Sequence, residues 1–446
     1  MVIKMKKVFA ILISKITIII GKILKRGSVY PANIALKIDK DLMDKFTLPQ
    51  IVIAVTGSSG KGSTSKMIAS TLRKSGKTVV HNEFGSNLRN GIVTLLLQNC
   101  TLTGKIKKDA LVFEIDERWT KIVFAHIKPS YVVITNITRD QPPRQGHFDK
   151  VFEEIKKALT PDMHLILNGD DPYLQKFNLE NKFNITYYGI KKNKYSYTKN
   201  KFSNLNIYYC PKCNKKLNYN YYNFEYLGDY YCNDCDFKKP NIDFNITKLD
   251  FEKNELTINN KYLINNCSDI LYSAYNTIAA FTTLSLIGID KENICKFLSE
   301  NKKNTYTFYK YNDRECYVLN NKNENSASFN QSLLFVDNKK DKKTIVIGWK
   351  EISRRYKFDD LSWLYDIEFE LLKKQDIDKI ICVGPNRFDI ATRMKYSDID
   401  NKKIKIFQNL EEATKYIKKS TTGNIYAILN FDYVVPFNKY MNGSEE

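Results

Sequence analysis

The run IVIAVTGSSGKGSTSKMIASTL, Ile51 to Leu72, limits the fold more than any other stretch of the chain. Five apolar, mostly β-branched residues read as a buried strand, a turn follows with Gly57 and Gly60, and a helical pattern starts at Lys61. A strand that passes through a glycine-rich turn into a helix is the building unit of a parallel sheet covered by helices. Its backbone N–H groups and helix N-terminus converge on one point and form an anion site. Gly57, Ser58, Ser59, Gly60, Lys61, Gly62, Ser63 and Thr64 are therefore read as a loop that holds a nucleotide phosphate. Lys61 would neutralise the β- and γ-phosphates, and Ser63 or Thr64 would offer a hydroxyl to Mg²⁺. The glycine spacing is shorter than in the general P-loop motif.

More α/β units follow. TVVH, ALVFEID, YVVITNI and LILN are short β-branched runs separated by helical or turn segments, as in a buried parallel sheet. Glu114 and Asp116 end one run, where a carboxylate can hold Mg²⁺ directly or through water. Asn168, Asp170 and Asp171 end another, at the edge where open α/β sheets bind ligands, although turn chemistry alone also selects these residues. From Tyr187 to Pro240 the pattern breaks, then DIDFNITKLDFEKNELTINNKYLI alternates as antiparallel strands do. SAYNTIAAFTTLSLIGI predicts a helix that stops at Gly288. TIVIGW and KIICVGP belong to a second α/β unit. The expected division is an N-terminal helical segment over 1–46, a central domain over 47–304 with an insertion at about 205–240, and a C-terminal α/β domain over 305–446.

The insertion carries the sharpest metal signal. Cys210, Cys213, Cys232 and Cys235 form C-x2-C-x18-C-x2-C, the spacing of a four-cysteine zinc ribbon. Four thiolates leave no open coordination position, so the zinc would be structural. Its binding would stabilise a segment with little core of its own. Cys100, Cys267, Cys295, Cys316 and Cys382 each sit singly in apolar surroundings and read as buried. His81, His126, His147 and His164 have no metal-protease spacing. An odd cysteine count and the lack of a cleavable signal near the start favour a reducing cytoplasm.

The first 28 residues pose a separate problem. VFAILISKITIIIGKILKRG is apolar, but Lys15 and Lys22 keep its uninterrupted runs far below the ~20 residues of a spanning helix. Two readings stand: an amphipathic helix packed on the protein's own core, or one lying at a membrane interface. The formal net charge of +21 suits an anionic membrane surface or an acidic substrate. Nucleic-acid binding is not expected, because no basic block alternates with stacking aromatics.

With these motifs in place, the chain resembles the Mur ligase superfamily, whose loop TGTNGKTT is matched by TGSSGKGST. The family's TNI segment is matched at Thr135, Asn136 and Ile137, and its helix with an adenine-contacting Asn is matched by YNTIAA, with Asn276. Within the superfamily the similarity is greatest to the MurT family, the ligase subunits of lipid II isoglutaminyl synthases. ANIALKIDKDLMDKF, HNEFGSNLRNGI, EIDE, TNITRDQ, LNGDDP, the cysteine cluster and DDLSWLYDIEFE carry it. Gln141 stands where other Mur ligases have His and MurT proteins have Gln.

This resemblance implies a Mur ligase-type α/β fold: a central parallel-sheet ATPase domain with an inserted zinc ribbon, plus a C-terminal α/β domain. It implies ATP and Mg²⁺ as cofactors beside Zn²⁺, with Lys61 as a catalytic residue, Ser63 and Glu114 toward magnesium, and Asn168, Asp171 and Asn276 toward the nucleotide. The implied reaction amidates the α-carboxylate of D-glutamate in the lipid II stem peptide through an acyl phosphate. Ammonia would come from a GatD-type glutaminase, whose catalytic triad Asp360 of DDLSW would complete, with Asp359 and Asp366 as alternatives. A membrane-bound substrate would suit a cytoplasmic enzyme in peripheral contact with the inner face of the membrane. Three stretches depart from the family: Pro142-Pro143 after RDQ, ENSAS at Glu324 to Ser328, and IGWKEI near Gly348 to Ile352. Two other readings remain, a folylpolyglutamate synthase-like ligase, suggested by GKGS, and a non-catalytic nucleotide-binding scaffold, suggested by the altered stretches.

Overall fold

Every strand expected from the β-branched runs forms, and their order explains why so many motifs share one edge. The structure is a computed structural model that describes residues 2–23, 29–83, 85–138, 148–180, 182–203, 205, 207–300, 306–319, 326–350 and 361–442. Gln141, Pro142, Pro143, His147, Glu324, Asp359 and Asp360 lie outside these residues.

The first sheet has nine strands in the order β11-β10-β9-β6-β5-β4-β1-β3-β2. Its core is parallel: β1 (Ile51–Thr56) lies between β3 (Ala110–Glu114) and β4 (Tyr131–Ile134), β2 (Val79–His81) flanks β3, and β5 (His164–Asn168) and β6 (Asn184–Ile190) follow β4. The chain leaves β1 toward one side of the sheet and later returns to its other side. β1 is thus the topological switch point, where open α/β sheets bind ligands beyond the carboxyl ends of their strands. α3 (Lys61–Lys74) begins directly after the glycine loop, and the predicted later helix forms as Leu271–Leu286, with Gly288 in the left-handed region (φ 82°) just beyond it. The alternating segment becomes β9 (Phe244–Asp250), β10 (Glu255–Ile258) and β11 (Tyr262–Ile264). They are antiparallel to one another, and β9 joins β6 in parallel.

A second sheet of six strands has the order β12-β13-β17-β14-β15-β16. β12 (Tyr306–Tyr311) and β13 (Arg314–Leu319) form an antiparallel hairpin. β14 (Lys343–Gly348), β15 (Ile377–Val383), β16 (Ile404–Phe407) and β17 (Asn424–Leu429) continue the sheet in parallel. Alternate residues supply two separate cores. Ile345, Ile347, Ile380, Tyr426 and Ile428 face the helix Ser326–Asn338, whereas Val346, Ile381, Val383, Ile425 and Ala427 face the helices Leu410–Ser420 and Phe431–Asn442. Burial on both faces is why these strands read as continuous apolar runs.

The insertion forms a two-stranded hairpin of β7 (Leu217–Phe224) and β8 (Leu227–Cys232). It is pinned to the turn after β5 and to the helix Ser326–Asn338. Lys239 reaches the buried Asp170 at 2.6 Å, and Asn330 donates to Glu225 at the hairpin tip at 2.8 Å. Asn330 also accepts the Glu368 backbone N–H at 2.9 Å, and the Glu368 carboxylate accepts from the N–H (2.6 Å) and hydroxyl (2.9 Å) of Ser203.

The N-terminal helix α1 (Val2–Ile23) packs Ala10, Ile11 and Ser14 inward, and the Ser14 hydroxyl donates to the Pro31 carbonyl in α2 (Tyr30–Ile38) at 3.2 Å. Among the described residues no helix is long and apolar enough to cross a membrane.

Candidate nucleotide site and cysteine cluster

The glycine loop is held in shape by the segment after β4. Asn136 accepts the Ser59 N–H at 3.0 Å and donates to the Ser59 carbonyl at 3.0 Å, and its own carbonyl accepts the Ser58 N–H at 2.9 Å. The Ser58 hydroxyl donates to the Thr138 carbonyl and accepts the Thr138 N–H, both at 2.9 Å. Gly57 (φ 122°) and Gly60 (φ 83°) sit where an L side chain is strained. A Cβ on Gly57 would come within 2.7 Å of the Asn136 carbonyl, and one on Gly60 would overlap the Asn276 amide. Asn276 therefore lies directly against the loop. Thr135 and Asn136, known from the sequence only as part of a motif, act with Thr138 as the loop's clamp.

Three carboxylates at and just beyond the end of β3 take separate positions. Glu114 overhangs the first turn of α3: a Cβ on Gly62 would lie 3.0 Å from its Oε2, while its Oε1 accepts from Asn87 at 2.9 Å. Asn82 pairs with the Glu114 backbone in both directions at 2.8 Å, which fixes the strand end. Asp116 turns elsewhere, accepting the Arg118 N–H at 3.2 Å and pairing with its guanidinium at 3.1 Å. Glu117, not singled out from the sequence, is fully buried and meets the Lys61 ammonium at 2.7 Å. Lys61 also donates to the Gly57 carbonyl, so its head lies across the loop. The signal for Glu117 was present in EIDE as a second glutamate three positions after Glu114, but its partner depends on the sheet order.

The donor set fits a phosphate with a hard cation. Ser63 is exposed at the start of α3, next in sequence to the Gly62 that faces Glu114, while Thr64 is buried and its hydroxyl makes no hydrogen bond among the described residues. Two oxygen donors beside a helix N-terminus and one ammonium suit Mg²⁺ and polyphosphate.

Asn168, Asp170 and Asp171 lie at the end of β5, separated from β1 by β4. Asn168 accepts the Asp170 N–H at 3.1 Å and shapes the turn. Asp170 is a structural junction, accepting from the Ile190 N–H at 2.9 Å and the Tyr275 hydroxyl at 2.7 Å beside its ion pair with Lys239. Asp171 is fully buried, and burial, reinforced by the neighbouring Asp170 charge, raises its pKa to about 7. One of its oxygens accepts the Tyr173 N–H at 2.8 Å, and the other makes no hydrogen bond among the described residues. The structure thus brings Lys61, Ser63, Glu114, Asn136 and Asn276 together and sets Asn168 and Asp171 farther along the same edge.

The four cysteine sulfurs lie within 4.8 Å of one another. Cys210 and Cys235 are 3.6 Å apart, and Cys213 and Cys232 are 3.5 Å apart. Tetrahedral bonds of about 2.3 Å to one zinc place sulfurs about 3.8 Å apart, so the set fits that ion. The first knuckle turns through Asn214 (φ 58°), whose N–H bonds the Cys210 carbonyl at 2.9 Å. The other five cysteines are all buried, as their apolar contexts imply.

The family model of the Mur ligase middle domain matches residues 55–226, and that of the MurT ligase C-terminal domain matches residues 323–433. The lipid II isoglutaminyl synthase (glutamine-hydrolyzing) subunit MurT of Staphylococcus aureus is 29% identical over 95% of this chain and 94% of its own length. The subunit of the same name from Streptococcus pneumoniae is 27% identical over 94% and 93%. Among solved structures, a pseudomurein peptide ligase type C from Methanothermus fervidus aligns with a TM-score of 0.69 at 21% identity, over 92% of this chain and 83% of that one. MurF ligase from Thermotoga maritima in complex with ADP aligns at 0.59 and 15% identity, over 93% and 84%. The chain belongs to the Mur ligase superfamily, joining its α/β middle domain to a C-terminal domain of the MurT type.

Proposed function

We propose that this chain is the ATP-dependent ligase subunit of a glutamine-dependent enzyme that amidates the α-carboxylate of D-glutamate in the lipid II stem peptide, giving D-isoglutamine. The observation that carries this reading is the similarity to the S. aureus MurT subunit across nearly the whole of both chains. The loop geometry supports it.

A carboxylate resists amines because its oxygen is a poor leaving group. In the proposed reaction a carboxylate oxygen attacks the γ-phosphorus of ATP, the bond to the β-phosphate oxygen breaks, and ADP departs. Ammonia then attacks the acyl carbon, the C–O bond to phosphate breaks, and the amide forms with loss of a proton. Lys61 would leave Glu117 for the β- and γ-phosphates, and its charge would screen the two anions as they approach. Ser63 and Glu114 would hold Mg²⁺, which supplies charge neutralisation on the phosphates. Gly57 to Thr64 would bind the polyphosphate, with Asn276, Asn168 and Asp171 toward the rest of the nucleotide.

Ammonia would come from a GatD-type glutaminase in a heterodimer, with Asp360 orienting the partner's His and stabilising its imidazolium. Cys210, Cys213, Cys232 and Cys235 would hold a structural Zn²⁺. The domains would span 1–46, 47–304 and 305–446, and the setting would be cytoplasmic. The test supplies the purified chain and its glutaminase with ATP, lipid II and either glutamine or ammonium. Conversion of the stem carboxylate to a carboxamide with stoichiometric ADP is expected. ATP turnover that transfers an amino acid instead would overturn the reading. Asp360→Asn should remove glutamine-driven but not ammonium-driven amidation, and equal loss of both would take Asp360 out of the triad.

A further inference from the structure

One side of α1 has no partner among the described residues. Met5, Val8, Phe9, Leu12, Ile16, Ile19, Ile20 and Ile23 are all exposed, with Met5 65%, Ile19 60% and Ile23 76% accessible. At 3.6 residues per turn they fall within an arc of about 120° along most of the helix. The opposite side, with Ala10, Ile11 and Ser14, is buried against the protein. Eight large apolar side chains in one unbroken stripe, about 27 Å long, form a surface that needs a cover.

Charge identifies that cover. By helical position Lys15 lies along one border of the stripe and Lys6 at the other. Residues 1–38 contain eight Lys or Arg and no Asp or Glu. A second copy of this face would offer those lysines no carboxylate, whereas an anionic lipid surface offers both an apolar layer and negative headgroups. An apolar stripe bordered by lysines is the pattern of a helix that lies in the plane of a membrane interface. The helix is also anchored: its inner side is packed in the fold, so it presents the stripe as a rigid edge and loses little conformational entropy on binding.

We propose that α1 is a docking surface for an anionic lipid bilayer, lying parallel to the interface with the Met5–Ile23 stripe inserted and the protein body above it. The inference rests on this surface alone and not on the amidation chemistry, so it is tested with vesicles that contain no lipid II. Full-length protein is sedimented with phosphatidylcholine vesicles with and without phosphatidylglycerol, and thermal melting and zinc content report the fold. Binding to the anionic vesicles is expected, weakening as salt screens the charges. The triple variant Phe9→Ser/Ile16→Ser/Ile20→Ser should bind at least tenfold more weakly with an unchanged melting curve, and Lys15→Gln roughly fivefold more weakly. A Phe9→Trp variant covers the case in which the triple variant does not fold: brominated lipid should quench the fluorescence of the added indole. Failure of the wild-type protein to bind, equal binding to neutral vesicles, or no quenching of the Phe9→Trp variant beyond that of the wild type would overturn the proposal. So would a stripe variant that converts a dimer to a monomer without vesicles, which would assign the face to a second copy.

Discussion

The cysteine cluster and the phosphate loop are both compact, yet they are assembled in opposite ways. Four ligands within 26 positions of one hairpin segment make the cluster, and their spacing alone nearly defines its geometry. The loop is contiguous from Gly57 to Thr64, but what holds it comes from three distant places: Glu114 and Glu117 after β3, Thr135 to Thr138 after β4, and Asn276 on the helix Leu271–Leu286. A local site is stabilised mainly by what it binds. A site at the switch point of a parallel sheet is stabilised by the fold around it, and its residues carry structural and chemical duties together.

That contrast makes removal of the cluster the largest expected effect. Changing Cys213 and Cys232 to Ser removes two of four ligands, and apparent zinc-binding energies of about 10 kcal/mol or more act directly as folding energy. Zinc content should fall to zero, and β7–β8 should become sensitive to protease. The loss should extend beyond the hairpin, because Lys239 and Glu225 tie the insertion to Asp170 and Asn330. Native-like protection of β7–β8 in a metal-free variant would show that the fold, not the ion, holds this region.

At the loop, Lys61→Ala should lower ATP-dependent turnover by about 10²- to 10³-fold or more, since in the proposed reaction it removes the charge that would face the transferred phosphoryl group. The same change should also weaken the fold. Lys61 pairs with a fully buried carboxylate, and truncating one member of such a pair costs about 3–5 kcal/mol. Lys61→Ala/Glu117→Gln should recover much of the stability and none of the activity, a non-additive result that a double-mutant cycle measures. Additive stability losses would mean that the two charges do not interact in solution.

Gly60→Ala should have a smaller but distinct effect. Its positive φ costs about 1 kcal/mol for a residue with a Cβ, and that Cβ meets the Asn276 amide. Adding Asn276→Ala should relieve the overlap while leaving the backbone cost, so thermal stability should return only in part. Full recovery would show that the loop's backbone is not confined to this conformation.

How much was legible follows the same division. The strand runs, the helix before Gly288 and the cysteine set depend on local pattern, and they form where the sequence places them. The pairing of Lys61 with Glu117 depends on β3 lying beside β1, and no local pattern states which strands are neighbours. Asp170 and Asp171 have the same side chain in one turn, but Asp170 became a buried junction between the sheet, the insertion and a helix. The link from Glu225 through Asn330 to Glu368 was equally hidden, since its members lie on elements that meet only after folding.

That last link yields the one predicted effect set by pH. Glu225 is buried at the hairpin tip, and desolvation pushes its pKa up to about 7, with the nearby Glu368 and Asp366 charges adding to the rise against the opposing bond from Asn330. A carboxyl group whose folded pKa exceeds its unfolded value of about 4.3 binds its proton more tightly in the native state. Stability from this group is therefore full below about pH 4 and is lost as pH rises toward 7. Asp171, raised in the same direction, adds to that slope, so the wild-type protein should lose stability over this interval from both groups. Glu225→Gln keeps an amide oxygen to accept from Asn330 but has no proton to release. The unfolding free energy of this variant should fall less steeply than wild type between about pH 5 and 7 and should exceed it by about 1–3 kcal/mol at pH 7. Parallel profiles for the two proteins would place the Glu225 pKa near its ordinary value and remove the hairpin tip as a source of pH sensitivity, leaving the four cysteines and Lys239 as the contacts that hold the insertion.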